Sequence, residues 1–76
     1  MDVKKTVIEI IAEVCSLDAT SISAESSIGD FPSWDSMAQL TILSSIEEKF
    51  NISFEPEEMM EMEDVSDMIK AIESKL

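Results

Sequence analysis

Apolar residues recur with a helical period in three segments of this chain. At about 100° per residue, the apolar positions of segment 2–16 share one arc of roughly 100°. They are Val3, Val7, Ile10, Ile11 and Val14. Segment 36–50 has a wider arc of roughly 160°, formed by Leu40, Ile42, Leu43, Ile46 and Phe50. Segment 64–76 has a third stripe, formed by Val65, Met68, Ile69, Ile72 and Leu76. Each segment is predicted to be an amphipathic helix with its apolar side in a core.

A fourth, shorter helix is predicted over residues 56–62. Pro56 fits the first position of a helix, and the acidic Glu57 and Glu58 suit its positive N-terminal end. Asp64 is expected to cap the last helix, with Asp67 three residues later in the capping-box position. The methionines of this region fit gap-filling in a core better than an adaptable binding surface, although both roles stay open. They are Met59, Met60 and Met62.

Residues 17–35 break the helical period and are predicted to form a long loop. Serine, aspartate, Gly29 and Pro32 dominate this segment, and such residues are typical of turns and caps. A loop of this length is expected to be ordered by apolar anchors, and a short helical turn within it is compatible with the pattern. The candidate anchors are Leu17, Ile22, Ile28, Phe31 and Trp34.

Together these segments predict an all-α fold. We expect a small four-helix bundle with a long loop between helices 1 and 2 and a short third helix. Residues 1–76 are expected to form it as a single domain, because a chain of 76 residues has room for only one core.

The charge of the chain restricts the partners that it can bind. It has 17 acidic residues against 5 lysines, and its net charge is −12. We expect no nucleic-acid binding and no direct membrane insertion, because binding nucleic acid or anionic membranes requires cations. Basic protein surfaces are the favoured partners, although a role in solubility alone explains the charge equally well. With no leader segment and no long apolar stretch, a cytoplasmic protein is expected.

Few catalytic or metal sites can be built from these residues. The chain has no histidine, so neither a Ser-His-Asp nor a Cys-His arrangement is possible. Cys15 is the only cysteine and ends an apolar helix, where a buried, inert thiol is expected. The only glycine, Gly29, cannot form a glycine-rich phosphate loop, and the acidic segment 55–67 lacks the EF-hand spacing. We therefore expect neither an enzyme nor a metal-binding protein.

Ser36 draws attention because it opens a helix at the end of the long loop. A phosphate attached there would lie beside the unpaired backbone N–H groups of a helix start, which favour an anion. The charge of Asp35 works against this, although it suits a basic enzyme. Locally, a structural role is the stronger interpretation: Ser36 and Gln39 match the S-x-x-Q capping box, and Asp35 is an equally good cap. Met37 points away from the apolar stripe of its helix.

The order of these features along the whole chain carries more information than any one of them. An apolar helix and a long loop precede Asp35-Ser36-Met37. The second helix ends in Ile46-Glu47-Glu48-Lys49-Phe50-Asn51-Ile52, and Pro56-Glu57-Glu58 and Asp64-Val65 open the last two helices. In this order and length the chain resembles the acyl carrier protein family over essentially all of its residues.

The resemblance implies a carrier that performs no catalysis itself. Ser36 would be the serine that a phosphopantetheinyl transferase modifies with 4'-phosphopantetheine from coenzyme A, and the terminal thiol of that arm would hold acyl or aminoacyl cargo as a thioester. Asp35, Met37, Glu47 and Glu48 match positions that contact partner enzymes. These partners would include a loading ligase or transferase and a downstream synthase or acyltransferase with a basic docking surface.

The residues around Ser36 also imply a subtype. Trp34 precedes Asp35-Ser36-Met37, a form more similar to carriers of specialised pathways, such as polyketide, amino-acid or cell-envelope synthesis, than to typical fatty-acid carriers. The short chain is similar to freestanding carriers, although a domain excised from a larger synthase would have the same sequence features. The alternative function is that of an unmodified acidic helical domain that binds other proteins.

Overall fold

The computed structural model describes residues 2–76 and contains four α-helices. Their bounds are Val3–Cys15 (α1), Ser36–Phe50 (α2), Pro56–Glu61 (α3) and Val65–Lys75 (α4). The predicted all-α fold is confirmed, and each helix lies within one residue of its predicted ends. A 3₁₀ turn over Ala19–Ser21 occupies the long loop. The described residues contain no strand, only one isolated β-bridge between Ser27 and Asp64. Met1, the first residue of the predicted domain, lies outside the described residues.

Local side-chain chemistry explains where the helices begin and end. Asp2 caps α1 by accepting a hydrogen bond from the backbone N–H of Lys5 at 3.1 Å. The Asp64 carboxylate accepts one from the N–H of Asp67 at 2.8 Å, as its capping position predicts. Helix α2 ends at Asn51, whose φ of 55° places it in the left-handed conformation that commonly terminates helices.

The core lies where α1 packs against α2 and α4. Its fully buried side chains come from these helices and from the end of the loop; they are Val7, Ile11, Trp34, Ile42, Leu43, Ile46, Val65, Met68 and Ile72. Two residues placed in the apolar stripes are exposed instead, Leu40 by 59% and Leu76 by 69%. Leu40 lies at the edge of the wide apolar arc of α2, next to the solvent-exposed face of the helix. Leu76 follows the last residue of α4.

The methionines near α3 divide between the two roles considered for them. Met62 is buried and Met59 is half-buried against the core, so both fill space as expected. Met60 is 81% exposed on the outer side of α3.

The long loop is ordered and is hydrogen-bonded to the α3–α4 connection and to the first turn of α4. Three backbone hydrogen bonds of 2.9–3.1 Å make this connection: Ile28 N to Glu63 O, Val65 N to Ser26 O, and Ser66 N to Ala24 O. Of the predicted anchors, Trp34 and Ile22 are buried, and the other three pack partly buried against the core. The loop therefore reaches Ser36 from a fixed position.

Candidate functional site

At the start of α2, the residue that caps the helix is Asp35 and not Ser36. Asp35 is the N-cap: its carboxylate accepts a hydrogen bond from the N–H of Ala38 at 2.9 Å. Its carbonyl accepts the N–H of Gln39, also at 2.9 Å. Ser36 is the first helical residue and is exposed. Of the two capping arrangements that the sequence allows, the structure has the Asp35 cap, so the Ser36 hydroxyl has no capping role.

The surroundings of this hydroxyl fit a phosphate ester. Within residues 2–76 the Ser36 hydroxyl makes no hydrogen bond. The backbone N–H groups of Ser36 and Met37 also lack partners among these residues, as expected for the first positions of a helix. Such N–H groups favour an anion, whereas the adjoining Asp35 carboxylate opposes one. The site is thus open enough for an enzyme to reach and presents donors to an attached phosphate.

A buried hydrogen-bond network lies directly beneath this turn. The Trp34 indole N–H donates to the Gln39 side-chain oxygen at 2.7 Å, and the Gln39 side-chain nitrogen donates to the Met62 carbonyl at 2.8 Å. Trp34 is fully buried, and Gln39 is only 7% exposed. The network joins the end of the loop, the first turn of α2 and the end of α3.

The sequence analysis assigns Gln39 only a capping-box position beside Ser36 and does not predict its hydrogen bonds to Trp34 and Met62. A signal was present nonetheless. Gln39 lies three and four residues before Ile42 and Leu43, and therefore on the buried side of the same helix. A polar residue at such a position is expected to have buried hydrogen-bond partners.

After Ser36, the exposed surface of the first turns of α2 includes two apolar side chains. Met37 is 79% exposed, which agrees with its predicted outward direction, and Leu40 is exposed on the following turn. Asp35, Ser36 and Met37 therefore lie together on one accessible surface.

The two glutamates expected to contact partners lie elsewhere. They follow Ser36 by eleven and twelve residues, which places them about 16–18 Å along the helix. Glu47 is half-buried, and its carboxylate accepts a hydrogen bond from the N–H of Phe54 at 2.7 Å. Glu48 is exposed and lines a groove of about 650 Å³ between α1 and α2, whose charged lining also includes Glu9, Glu13 and Lys49. These glutamates thus lie at the opposite end of α2 from Ser36. One carboxylate oxygen of Glu47 is already hydrogen-bonded to the backbone of Phe54.

Cys15 is buried near the loop, as expected. Burial raises the pKa of its thiol, and the charge of Asp35 raises it further, while a hydrogen bond with the Ser33 side chain acts in the opposite direction. The protonated form is therefore favoured, which fits an inert structural thiol.

In the part of the chain that the structure describes, no group of three or more cysteine, histidine or carboxylate residues is arranged to hold a metal ion. Among the same residues, none of the helices has the length and apolar character needed to cross a membrane.

Comparison with known proteins gives a consistent result. Residues 5–72 match the family described as the phosphopantetheine attachment site. An acyl carrier protein of Exiguobacterium sp. is 34% identical over 68 residues, which are 90% of this chain and 86% of that protein. An acyl carrier protein of Porphyromonas gingivalis is 27% identical over 75 residues, covering 99% of this chain and 96% of the relative.

These matches confirm the family that the sequence resembles, and they favour a carrier over an unmodified acidic binding domain. Proteins of this family hold acyl groups as thioesters on covalent phosphopantetheine and present them to other enzymes, generally after a phosphopantetheinyl transferase has attached the arm. The chain belongs to the acyl carrier protein family and is a carrier rather than an enzyme.

Proposed function

We propose that this chain carries acyl or aminoacyl intermediates on 4'-phosphopantetheine attached to the Ser36 oxygen. We further propose that its four helices form one carrier domain. The observation that supports Ser36 most directly is the division of roles at the start of α2, where Asp35 caps the helix and leaves the Ser36 hydroxyl exposed. Ser36 can then be esterified without loss of the cap.

Attachment is a phosphoryl transfer that a partner enzyme catalyses. The Ser36 oxygen forms a bond to the phosphorus that carries pantetheine in coenzyme A, and the bond between that phosphorus and the bridging oxygen of the pyrophosphate breaks. The adenine nucleotide leaves, and the proton of the hydroxyl passes to a base of the transferase. Once bound, the arm supplies a thiol that holds cargo as a thioester.

The chain itself contributes a fixed base for a mobile arm. The Asp35 cap and the buried Trp34–Gln39–Met62 network hold the first turn of α2 in place. Tethered cargo has a high effective concentration at any partner site within reach of the arm. Because the base is held, the reach of the arm depends on the arm and not on movement of the helix.

We propose that partners recognise Asp35 and Met37 beside the attachment position, and Glu47 and Glu48 at the far end of α2. The partners would be a phosphopantetheinyl transferase, a loading ligase or transferase, and a downstream synthase or acyltransferase with a basic docking surface. The exposed carboxylate of Glu48, with Glu9 and Glu13 nearby, supports a basic partner surface there. Binding should weaken as salt is raised. A cytoplasmic location and a specialised pathway stay predictions from the sequence.

The attachment can be tested by intact-mass measurement. The purified protein is incubated with coenzyme A and a broad-specificity phosphopantetheinyl transferase. We expect one phosphopantetheine on the wild-type chain and none on Ser36→Ala. The matched control is Ser44→Ala, which removes an exposed serine from the same helix and should be modified like the wild type.

Two outcomes would contradict the proposal. One is an unmodified wild-type chain under conditions that fully modify a reference carrier. The other is addition to Ser36→Ala, which would place the arm on a different residue. Circular dichroism should show that both variants keep their helices, since neither serine caps α2.

A further inference from the structure

The exposed Ser36 side chain takes its position from the residues on either side of it, because its hydroxyl makes no hydrogen bond within the described part of the chain. On one side, the Trp34 carbonyl accepts a hydrogen bond from the N–H of Gly29 at 3.0 Å, which ties it to the long loop. On the other side, the N–H of Gln39 donates to the Asp35 carbonyl at 2.9 Å and closes the first turn of α2. The orientation of Ser36 therefore depends on how firmly Trp34 and Gln39 are held.

The Gln39 side chain joins these two points to each other and to a third. Its amide oxygen accepts the Trp34 indole N–H at 2.7 Å, and its amide nitrogen donates to the Met62 carbonyl at 2.8 Å. An indole N–H only donates and a backbone carbonyl only accepts, so the group between them must do both. The amide of Gln39 does this in one orientation only. Both side chains are buried, so losing either bond would leave a buried polar group without its partner.

Filling space at this position would not require a polar side chain. The other buried residues of α2 are Ile42, Leu43 and Ile46, and all three are apolar. The cost of burying the Gln39 amide is offset only when its hydrogen bonds are made. A buried polar network that is fully hydrogen-bonded fixes one arrangement of the groups around it. Here that arrangement includes the turn of α2 that begins with Ser36.

We propose that Gln39 is a positioning residue for the modification of Ser36. By linking Trp34 to Met62 it holds the first turn of α2, so that the Ser36 oxygen meets the phosphorus of coenzyme A in one orientation within the transferase complex. A displacement of about 1 Å can slow a reaction by about a hundred-fold. Gln39 acts through this turn and not by contact with the reacting atoms. The inference rests on the proposed attachment at Ser36 and adds a residue that controls its rate.

The test measures transfer from coenzyme A to the full chain by a broad-specificity phosphopantetheinyl transferase. Gln39→Met keeps the length of the side chain, but it has no donor for the Met62 carbonyl and only a weak acceptor for the indole. We expect kcat to fall about ten-fold, while KM for the carrier changes less than about three-fold because the exposed Asp35 and Met37 remain. The matched control is Ile46→Val, a buried substitution farther along α2, which should lower the urea midpoint and leave kcat unchanged.

A second substitution gives a result that a loss of stability alone would not produce. In Gln39→Glu, a protonated carboxyl accepts the indole N–H and donates to the Met62 carbonyl, whereas an ionised carboxyl has no donor. Burial and the neighbouring carboxylates of Asp35 and Glu63 should raise the pKa of this carboxyl, although the indole N–H opposes that change. The kcat of this variant, divided by that of the wild type at the same pH, should fall as the pH rises through that pKa. The same quotient for Gln39→Met should not change with pH.

Each result decides the question. Unchanged kcat in a folded Gln39→Met would overturn the proposal, and so would an equal fall in kcat for Ile46→Val or a quotient for Gln39→Glu that does not change with pH. If Gln39→Met does not fold, Trp34→Phe replaces it, because the ring remains while the indole N–H is lost. An unmodified wild-type chain would overturn the attachment at Ser36 together with the role of Gln39, whereas unchanged kcat in the variant would overturn the role of Gln39 alone.

Discussion

Two layers of the molecule meet at the start of α2, and they differ in solvent exposure and in hydrogen bonding. The surface layer is Asp35, Ser36 and Met37, and all three residues are exposed. The base layer is Trp34, Gln39 and Met62, which are buried and in which Gln39 forms hydrogen bonds with the other two residues. Trp34 and Ser36 are only two residues apart in the chain. The difference indicates that the base layer provides stability, while the exposed side chains of Ser36 and Met37 are available for the proposed attachment and recognition.

The acidic residues show a similar division between structural and free groups. In the 55–67 segment, Glu58 accepts the N–H of Glu55 and pairs with Lys75 at 3.0 Å. Asp64 and Asp67 accept backbone N–H groups at the start of α4. Several carboxylates therefore hold helix ends, so only part of the acidic residues is free to contact a partner directly.

The largest expected effect is on the base layer. Trp34→Ala removes a fully buried ring and should cost about 3–5 kcal/mol of unfolding free energy. A chain of 76 residues has a total of about 4–11 kcal/mol. We therefore expect partial or complete unfolding, measured by urea denaturation with far-ultraviolet circular dichroism.

Two variants sharpen this result. Trp34→Phe keeps an aromatic ring but leaves the Gln39 oxygen without its donor, at a cost of about 1–3 kcal/mol. Met37→Ala, three residues away in the surface layer, should stay within about 0.5 kcal/mol of the wild type. If Met37→Ala destabilised the protein as much as Trp34→Ala, the division into two layers would be wrong.

A smaller effect on stability is expected to distinguish Asp35 from Ser36, the two candidate caps of α2. Asp35→Ala removes the acceptor for the Ala38 N–H and should cost about 1 kcal/mol. Ser36→Ala should change stability by less than about 0.5 kcal/mol, because its hydroxyl makes no capping bond. Urea midpoints of the two variants, measured side by side without phosphopantetheine, check this order. The reverse order would make Ser36 the cap and weaken the case for its free hydroxyl.

The helices were predictable because their causes are local. Apolar residues at helical spacing, Pro56 at the start of α3 and Asp64 before α4 act over a few residues, so the sequence displays them directly. The burial of Trp34 could also be anticipated, since a loop of this length needs anchors.

The base layer could not be predicted, because its contacts join distant parts of the chain. The bond from Gln39 to the Met62 carbonyl spans 23 residues, and no local pattern encodes it. The exposure of Leu40 was unpredictable for the same reason, because a wide apolar arc does not show which of its edges the rest of the fold will cover. The choice between Asp35 and Ser36 as the cap had a different cause, since two adjacent residues were both suited to that role.

The smallest expected effect is at the contact between Glu58 of α3 and Lys75 of α4. The backbone N–H of Glu55 lowers the pKa of the Glu58 carboxyl, and Lys75 lowers it further. Because the pKa is lower in the folded state, this carboxylate stabilises the fold above its unfolded pKa, and that stabilisation is lost as the pH falls through the folded pKa. Glu58→Gln should therefore lower the urea midpoint slightly at about pH 7 and by less at a pH below the folded pKa of Glu58, where the wild-type carboxyl is protonated as well. Glu57→Gln is the matched control, because it removes an exposed carboxylate from the same turn of α3 and leaves the Glu58–Lys75 ion pair in place. An equal loss for Glu58→Gln at both pH values would mean that the charge of Glu58 does not stabilise the α3–α4 contact.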